Sequence, residues 1–263
     1  MPAKTFLVTG AASGIGAATC QRMTRDGHRV IAVDRDGAGL KELSAAGHCA
    51  DTIVLDLTDS AAIRSALRGL RLDGVANVAG VGPDAGDVGT IFRINLVAPL
   101  MLLECVRAGL GPEATVVNVS SITGEMADGA MDAHLGDPLA EDFIARVTRV
   151  ITEPAAAYTY SKRALIAESM RLAAAWAPGI RVNCLSPGII ETPLGDRSKA
   201  FTWTQKAAER IPLRRLGAPR EIADVIAFLL GPQSSYVVGA SLVVDGGYVA
   251  GQRARQAART RSA

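Results

Sequence analysis

The residues best placed for chemistry are Tyr158 and Lys162, four positions apart in the run YTYSKRALIAESMRLAAAW. Apolar residues recur there at helical spacing, with Pro154 before the run and Pro178 after it, so the pattern predicts a helix. Side chains four apart share a helix face, and Tyr160 points away from them. Tyrosine has a pKa of about 10, and a neighbouring ammonium stabilises the phenolate. The pair therefore predicts a general acid/base with a lowered pKa, although an isolated Y-x-x-x-K is more often an ordinary helix surface.

A glycine-rich loop follows the first predicted strand, TFLVTG, and precedes a helix and the second strand, HRVIAVD. In that order Gly10 allows a tight turn, Gly14 lets a pyrophosphate approach the helix N-terminus, and Gly16 lets the helix pack on the sheet. The alternative is a purely structural turn. We predict a dinucleotide-binding loop, with Ser13 and Ile15 among its contacts.

Asp34 ends the second predicted strand, eighteen residues after Gly16. A carboxylate there accepts hydrogen bonds from a ribose diol and repels a 2′-phosphate, which favours NAD over NADP as the cofactor. Arg35 complicates this preference, because a guanidinium binds phosphate well. Asp56 and Leu57 follow in the third predicted strand, at the end where an adenine would rest.

The elements that position these residues alternate along the chain as short β-branched strands and helices. This alternation predicts an α/β fold with a doubly wound parallel sheet, the Rossmann fold. Ligands of such sheets bind at the carboxyl ends of the strands. Those ends carry Gly10–Gly16, Asp34, Asp56, Ala79–Gly80, Ser121 and Pro187–Thr192. A helical pair at 199–210 and 219–230 and a strand at 241–247 complete the pattern.

Composition excludes several classes of function. The chain has 263 residues, 49% hydrophobic and 21% charged, and a net charge of +2, which argues against nucleic-acid or membrane-surface binding. There is no run of 18 apolar residues and no signal-peptide pattern, so we expect no membrane span. Scattered histidines predict no metal site. Four scattered cysteines indicate buried thiols in a reducing compartment, the cytoplasm.

These motifs together resemble the short-chain dehydrogenase/reductase family. They are TGAASGIG at 9–16, Asp34, Asp56, NVAG at 77–80, Asn95, Ser121, Tyr158 with Lys162, PGIIET at 187–192 and VDGG at 244–247. The resemblance implies that Tyr158 is the acid/base, that Lys162 lowers its pKa and binds the nicotinamide ribose, and that Ser121 orients the substrate oxygen. It also implies that Asn95 holds a proton-relaying water. Further cofactor contacts would come from Asn77, Ala79, Gly80, Pro187, Gly188, the backbone of Ile190 and the side chain of Thr192.

The chain departs from the family pattern in three places. Val78 replaces the second Asn of the usual N-N-A-G, and the stretch from Gly80 to Asn95 is short. Tyr158 also comes 37 positions after Ser121, far more than in most members. Members that reduce enoyl thioesters carry their tyrosine seven residues before the lysine, where this chain has Ala155, so that activity is not expected.

The long insertion at 125–157 is the most individual feature of the chain. Asp137 followed by Pro138 is typical of a helix start, and apolar spacing predicts an amphipathic helix at 137–151. This segment leaves the sheet beside Ser121 and returns at Tyr158. It either roofs an apolar substrate or serves as packing or an oligomer contact. We favour the roof, with substrate contacts from Met126, Met131 and Leu135.

The insertion and the short loop after GVGP resemble one bacterial branch of the family, the 3α-hydroxysteroid dehydrogenase/carbonyl reductases. Coniferyl-alcohol dehydrogenases share the Y-x-Y-x-K region. The resemblance implies a bulky apolar secondary alcohol and its ketone as substrates. A primary aromatic alcohol such as coniferyl alcohol is one alternative, and a non-catalytic NAD-sensing protein is another.

The expected organisation is a single dehydrogenase domain at 1–250 and a basic tail at 251–263. The tail has four arginines and no acid, so we predict disorder, with binding to nucleic acid or an acidic partner as the alternative. We expect a homodimer or homotetramer. Because the insertion could obstruct the surface through which most family members associate, our hypothesis is a dimer through the last strand and the 219–230 helix.

Overall fold

A computed structural model describes residues 3–192 and 208–261. Within them, one parallel sheet contains β1 (Thr5–Thr9), β2 (Arg29–Asp34), β3 (Asp51–Val54), β4 (Leu72–Asn77), β5 (Leu110–Val119), β6 (Ile180–Pro187) and β7 (Ser241–Val244). The strand order is β3-β2-β1-β4-β5-β6-β7. Because the order reverses between β1 and β4, a crevice opens there at the carboxyl ends of the strands. The predicted doubly wound α/β fold is confirmed.

Helices cover both faces of the sheet. They are α1 (Gly14–Arg25), α2 (Gly37–Ala45), α3 (Ser60–Ala66), α4 (Val88–Phe92), α5 (Ala98–Val106), α6 (Ile122–Met126), α7 (Phe143–Val150), α8 (Pro154–Trp176), α9 (Pro219–Leu230) and α10 (Tyr248–Arg261). Side chains alternate across each strand, so Leu7 enters one core while Phe6 and Val8 enter the other. The first core lies under α3, α4, α5, α7 and α8, and the second under α1, α2 and α9. The predicted helix at 199–210 lies mostly outside the described residues.

A π-helical segment, Arg93–Val97, joins α4 and α5 into one helical run, Val88–Gly109. Among the described helices this run is the one long and apolar enough to cross a membrane by length and composition, with a mean hydropathy of 1.5. However, 67% of that stretch is buried inside the fold. It packs as a core helix against the sheet.

The insertion helix is shorter than predicted. Asp137 has a φ of 51°, in the left-handed region, so it cannot begin a right-handed helix, and α7 begins only after Asp142. Phe143 and Val147 are fully buried, and the Phe143 ring meets Phe92 edge to face at 5.9 Å between centroids. The apolar stripe therefore packs α7 onto α4.

The segment before α7 is fastened to the outer face of α8. The Tyr160 hydroxyl donates a 2.7 Å hydrogen bond to Asp128, and the Arg163 guanidinium binds the Asp132 carboxylate through two 2.6 Å hydrogen bonds. As a result, Met126 is exposed, while Met131 and Leu135 pack into the first core. The buried side chains of α7 favour the packing alternative for the insertion, and the substrate contacts of these three residues stay a prediction.

The tail also differs from our prediction, because α10 continues to Arg261 where we expected disorder. Asp245 starts this helix: its carboxylate accepts hydrogen bonds from the N–H groups of Gly247 at 2.8 Å and Val249 at 2.7 Å. The sequence GQRARQAARTR is rich in alanine, arginine and glutamine, which favour helix. Asp245 lies within the strand predicted at 241–247, and its role as a helix cap is not predicted from the sequence.

Candidate active site

A cleft of about 320 Å³ opens at the carboxyl ends of the strands, next to the glycine loop. Gly10 has a φ of 68°, and a Cβ there would lie 2.9 Å from the Ala79 backbone. A Cβ on Gly16 would lie 1.9 Å from the Gly10 carbonyl oxygen. Both glycines are therefore required by close backbone approach, which brings the loop, β4 and α1 together around the cleft.

The N-terminus of α1 faces this cleft without a side-chain cap. Ser13 occupies the N-cap position and makes no capping hydrogen bond. In contrast, α2 and α3 are capped by Asp36 and Asp59, whose carboxylates each accept two backbone hydrogen bonds. A helix N-terminus carries partial positive charge and unpaired N–H groups. The α1 terminus is thus suited to a phosphate group supplied by a ligand.

Three carboxylates, Asp34, Asp36 and Asp56, line the cleft beyond the loop. Hydrogen bonds from the Thr58 backbone and hydroxyl hold the pKa of Asp56 below its usual value, and the positive charge of Arg35 adds to this shift. This wall therefore combines three acids with one guanidinium, and that guanidinium already interacts with Asp56.

Most of the predicted cofactor residues line the cleft: Gly10, Ser13, Gly14, Ile15, Gly16, Asp34, Arg35, Asp56, Leu57, Ala79, Gly80 and Thr192. Six lining residues were not predicted: Ala12, Asp36, Leu55, Val78, Val81 and Ile94. Most of these six are direct chain neighbours of predicted residues, so contiguity along each strand end would have found them.

Asn77 is the clear exception among the predicted cofactor contacts. It is buried at the end of β4, and its amide donates a 2.8 Å hydrogen bond to Asn118 on β5. Asn77 is not among the described residues that line the cleft, whereas Val78 and Ala79, which follow it after the end of β4, do line it. Its predicted contact with the cofactor stays a prediction.

The stretch after β6 borders the cleft through Thr192. Pro187 ends β6, and Gly188 packs so closely on Asp245 that a Cβ would lie 2.7 Å from its Cα. Ile190 is buried and forms a parallel bridge with Gly217. That bridge uses the Ile189 carbonyl and the Glu191 N–H, so the N–H and C=O of Ile190 point to the other side.

The Ser121 and Tyr158 side chains lie close together, near enough for the Ser121 hydroxyl to lower the pKa of Tyr158. Ser121 ends the β5 segment and N-caps α6, while Tyr158 projects from the first turns of α8. The adjacent Ser120 is occupied elsewhere, because its hydroxyl donates a 2.7 Å hydrogen bond to the Lys162 carbonyl. The structure thus brings Ser121, rather than Ser120, to the tyrosine.

Lys162 and Asn95 flank Gly80 on the cleft wall. A Cβ on Gly80 would lie 3.2 Å from both the Lys162 Nζ and the Asn95 Oδ1. Nζ is buried and donates a 2.9 Å hydrogen bond to the Val119 carbonyl. Asn95 lies in the π-helical segment, and its amide accepts from the Val81 N–H at 2.9 Å and donates to the Val81 carbonyl at 3.0 Å. π-helical segments of this kind are frequent at functional sites.

The pKa of Tyr158 departs from our prediction. Burial raises it above the usual value and the nearby Ser121 hydroxyl only partly offsets the rise. Burial also lowers the pKa of Lys162 to about 8. Desolvation disfavours the charged form of each side chain and is the largest cause of both shifts. The predicted depression of the Tyr158 pKa by Lys162 is therefore wrong for the protein without a ligand.

Comparisons with known proteins agree with this geometry. The family model described as short chain dehydrogenase matches residues 4–133, and one described as Enoyl-(Acyl carrier protein) reductase matches residues 143–249. The 3-alpha-hydroxysteroid dehydrogenase/carbonyl reductase of Comamonas testosteroni is 33% identical over 95% of this chain and 98% of its own. Coniferyl-alcohol dehydrogenase from a Pseudomonas species is 32% identical over 93% and 96%. An uncharacterized short-chain type dehydrogenase/reductase of Sinorhizobium fredii is 34% identical, and this chain spans 44% of its length.

Two solved structures are similar in fold. The 3-alpha-hydroxysteroid dehydrogenase from a Pseudomonas species, complexed with NADH, superposes with a TM-score of 0.82 at 34% identity, covering 95% of this chain and 98% of that one. A putative 2-deoxy-D-gluconate 3-dehydrogenase from Agrobacterium tumefaciens, with bound NADP, gives 0.76 at 27% identity, covering 94% and 96%. The chain belongs to the short-chain dehydrogenase/reductase family. It is an oxidoreductase of that family, whose members use nicotinamide cofactors.

Proposed function

We propose that this protein is an NAD-dependent dehydrogenase that interconverts a bulky, apolar secondary alcohol and its ketone. The observation that carries the proposal is the meeting of the Ser121 and Tyr158 side chains beside a cleft flanked by Lys162. Proton transfer at an alcohol requires one group that exchanges a proton with the alcohol oxygen and a second group that donates a hydrogen bond to it, and two hydroxyls can fill these roles.

The described residues fit a nicotinamide dinucleotide. The uncapped N-terminus of α1 suits the pyrophosphate, and Asp34 suits the adenosine ribose. When bound, the cofactor supplies the hydride acceptor or donor. Three carboxylates on the ribose side oppose the two added charges of a 2′-phosphate. We therefore propose NAD over NADP, even though Arg35 also lines the cleft.

The chain's own residues would handle the proton. In oxidation, Tyr158 as phenolate accepts the proton of the alcohol oxygen while Ser121 donates a hydrogen bond to that oxygen. In reduction, the neutral phenol returns the proton. Lys162, whose Nζ is within the buried wall, stabilises the phenolate when it forms. Burial favours the neutral phenol in the free protein, so the phenolate is needed only during turnover.

The substrate class is supported by the relatives named for hydroxysteroids. The second candidate is oxidation of a primary aromatic alcohol, supported by the relative named coniferyl-alcohol dehydrogenase at 32% identity. A non-catalytic NAD-sensing protein is the weakest alternative, since Ser121, Tyr158, Lys162 and Asn95 all lie together.

The test is NADH formation with a panel of steroid, cyclic, terpene and aryl alcohols. We expect the highest kcat/KM with a cyclic secondary alcohol and a lower value with coniferyl alcohol. The reverse order would favour the second candidate. NADH binding without turnover of any alcohol or ketone would support the sensing alternative and contradict the proposal.

We also propose a cytoplasmic homodimer. The four cysteines are free thiols, as a reducing compartment would maintain. Exposed apolar side chains lie on α9, on the loop that follows it and on the edge strand β7: Phe228, Tyr236, Val238 and Leu242. An exposed edge strand and apolar neighbours provide a surface for a second copy. The insertion covers the face of α8 that carries Tyr160 and Arg163, which leaves that face less accessible.

A further inference from the structure

Glu125 links α6, the short helix that Ser121 caps, to the sheet. It lies in α6, four residues after Ser121, which N-caps that helix. Its Oε1 accepts a 2.8 Å hydrogen bond from the Ser186 hydroxyl on β6 and a second from the Ser241 hydroxyl on β7. Hydrogen bonds to an ionised acceptor are stronger than neutral ones. One carboxylate thus ties α6 to two neighbouring strands.

The opposite side of α6 presses on α8. A Cβ on Gly124 would lie 2.8 Å from the Lys162 carbonyl carbon and from the Arg163 nitrogen, so the two helices are in direct backbone contact. Ser120 adds its hydrogen bond to the Lys162 carbonyl. Helix α6 is therefore held between α8 on one side and the hydrogen bonds of Glu125 on the other, with Ser121 at its N-terminus.

We propose that Glu125 is a positioning residue that sets the distance between the Ser121 and Tyr158 hydroxyls. This inference rests on the proposed function, because it concerns the same reaction. Glu125 is not among the described residues that line the nucleotide cleft and lies instead at a separate cavity beside Asp132 and Leu135, so in this proposal it acts through Ser121. It also anchors Ser186, directly before the stretch 187–192 that borders the cleft. Without the carboxylate, the Ser186 and Ser241 hydroxyls would lose the acceptor that they share and keep their 3.4 Å contact with each other.

The first test compares three variants. Glu125→Ala removes the acceptor, and we expect kcat to fall at least about tenfold, since small displacements of catalytic groups cost up to about 10²-fold. The Kd for NADH should stay nearly constant. Glu125→Gln keeps an oxygen acceptor and should restore kcat to near wild type. Glu168→Ala removes a mostly buried carboxylate of α8 that pairs with Arg171, and as the matched control it should change neither value.

The second test asks whether Glu125 acts through Ser121. In a Ser121→Ala background, Glu125→Ala should have little further effect on kcat. An equal loss in both backgrounds, or wild-type kcat in Glu125→Ala, would overturn the inference. If Glu125→Ala does not fold, Ser241→Ala removes one of the two donors and should reduce kcat in the same Ser121-dependent way, and an unchanged kcat there overturns the inference.

A readout without substrate separates this inference from the proposed function. The nearby Ser121 hydroxyl lowers the pKa of Tyr158, so loosening α6 should shift that pKa upward. Ultraviolet titration of the phenol, with Tyr158→Phe subtracted, measures the shift. If the pKa of Tyr158 shifts in Glu125→Ala but the wild-type protein oxidises no alcohol, only the proposed function is contradicted. If the wild-type protein oxidises an alcohol and Glu125→Ala changes neither kcat nor the Tyr158 pKa, only the positioning role is contradicted.

Discussion

The backbone N–H of Ala12 donates a 3.0 Å hydrogen bond to Oδ2 of Asp34, so the glycine loop is fastened to the end of β2. Oδ1 of the same carboxylate accepts from the Asp36 N–H at 3.0 Å. With both oxygens engaged, the carboxylate has a fixed position on the cleft wall. The residue that selects the cofactor in our proposal is therefore also a structural part of the loop that binds it.

Asp34→Asn removes the charge and keeps one oxygen for the loop. We expect the ratio of kcat/KM for NAD to that for NADP to fall at least about tenfold, about 1.4 kcal/mol, because repulsion of a 2′-phosphate is lost. Steady-state kinetics with both cofactors measure this ratio. The control is Asp59→Asn, at the residue that caps α3, and it should leave the ratio unchanged. A constant ratio in Asp34→Asn would contradict the assignment of NAD selection to Asp34.

Two tyrosines on α8 allow a matched test of the acid/base. Tyr158→Phe removes the hydroxyl beside Ser121, and we expect kcat to fall by about 10²–10⁴-fold with NADH affinity retained. Tyr160→Phe removes only the hydrogen bond to Asp128 and should keep kcat close to wild type. Single-turnover rates and fluorescence titration separate the two effects. Comparable kcat values in the two variants would refute the role of Tyr158.

The sheet and the cleft were predictable because their signals are local in sequence. Strand and helix periodicity, the positive φ of Gly10 and the four-residue spacing of Tyr158 and Lys162 are each encoded within a few positions. Parallel strands then bring their carboxyl ends to one edge, so distant motifs meet without any knowledge of tertiary contacts.

The parts that were not predictable depend on contacts between distant segments. Asn77 turns into the core because Asn118 on the next strand accepts its hydrogen bond. The insertion packs along α8 because Tyr160 and Arg163 of that helix bind the insertion's carboxylates, Asp128 and Asp132. Likewise, burial of the Lys162 ammonium beneath the cleft is a property of the packed fold, and so is the pKa shift that results. No pattern within one segment carries this information.

Lys162 gives the stability of the free protein a specific pH dependence. Its pKa is about 8 in the fold against 10.5 in the unfolded chain, so the unfolded state binds more protons between these values. Stability from this group therefore rises with pH through that window. We expect the stability of wild type relative to Lys162→Met to rise by about 1 kcal/mol from pH 7 to 9. Urea unfolding at each pH measures it, and a constant or falling difference would contradict the burial of a titrating lysine.

The two edges of the sheet provide a matched test of the proposed dimer. Leu242 is exposed on β7, and Val54 is exposed on β3 at the opposite edge. We expect Leu242→Lys to convert the dimer to a monomer, because two buried charges would face each other across a symmetric interface. Val54→Lys should remain dimeric. Light scattering after size exclusion gives the masses, and a wild-type tetramer or a dimeric Leu242→Lys would contradict the proposal.

Phe143 tests whether the insertion serves as packing. Its ring is fully buried against Phe92, whereas Val150, at the other end of α7, is exposed. Phe143→Ala should therefore destabilise the protein by about 3–5 kcal/mol, while Val150→Ala should cost less than about 0.5 kcal/mol. Chemical denaturation measures both. The packing role also requires that the KM of Phe143→Ala for different alcohols changes uniformly while the protein remains folded. A selective rise in KM for the bulkiest alcohols without loss of stability would instead return the insertion to the role of a substrate roof.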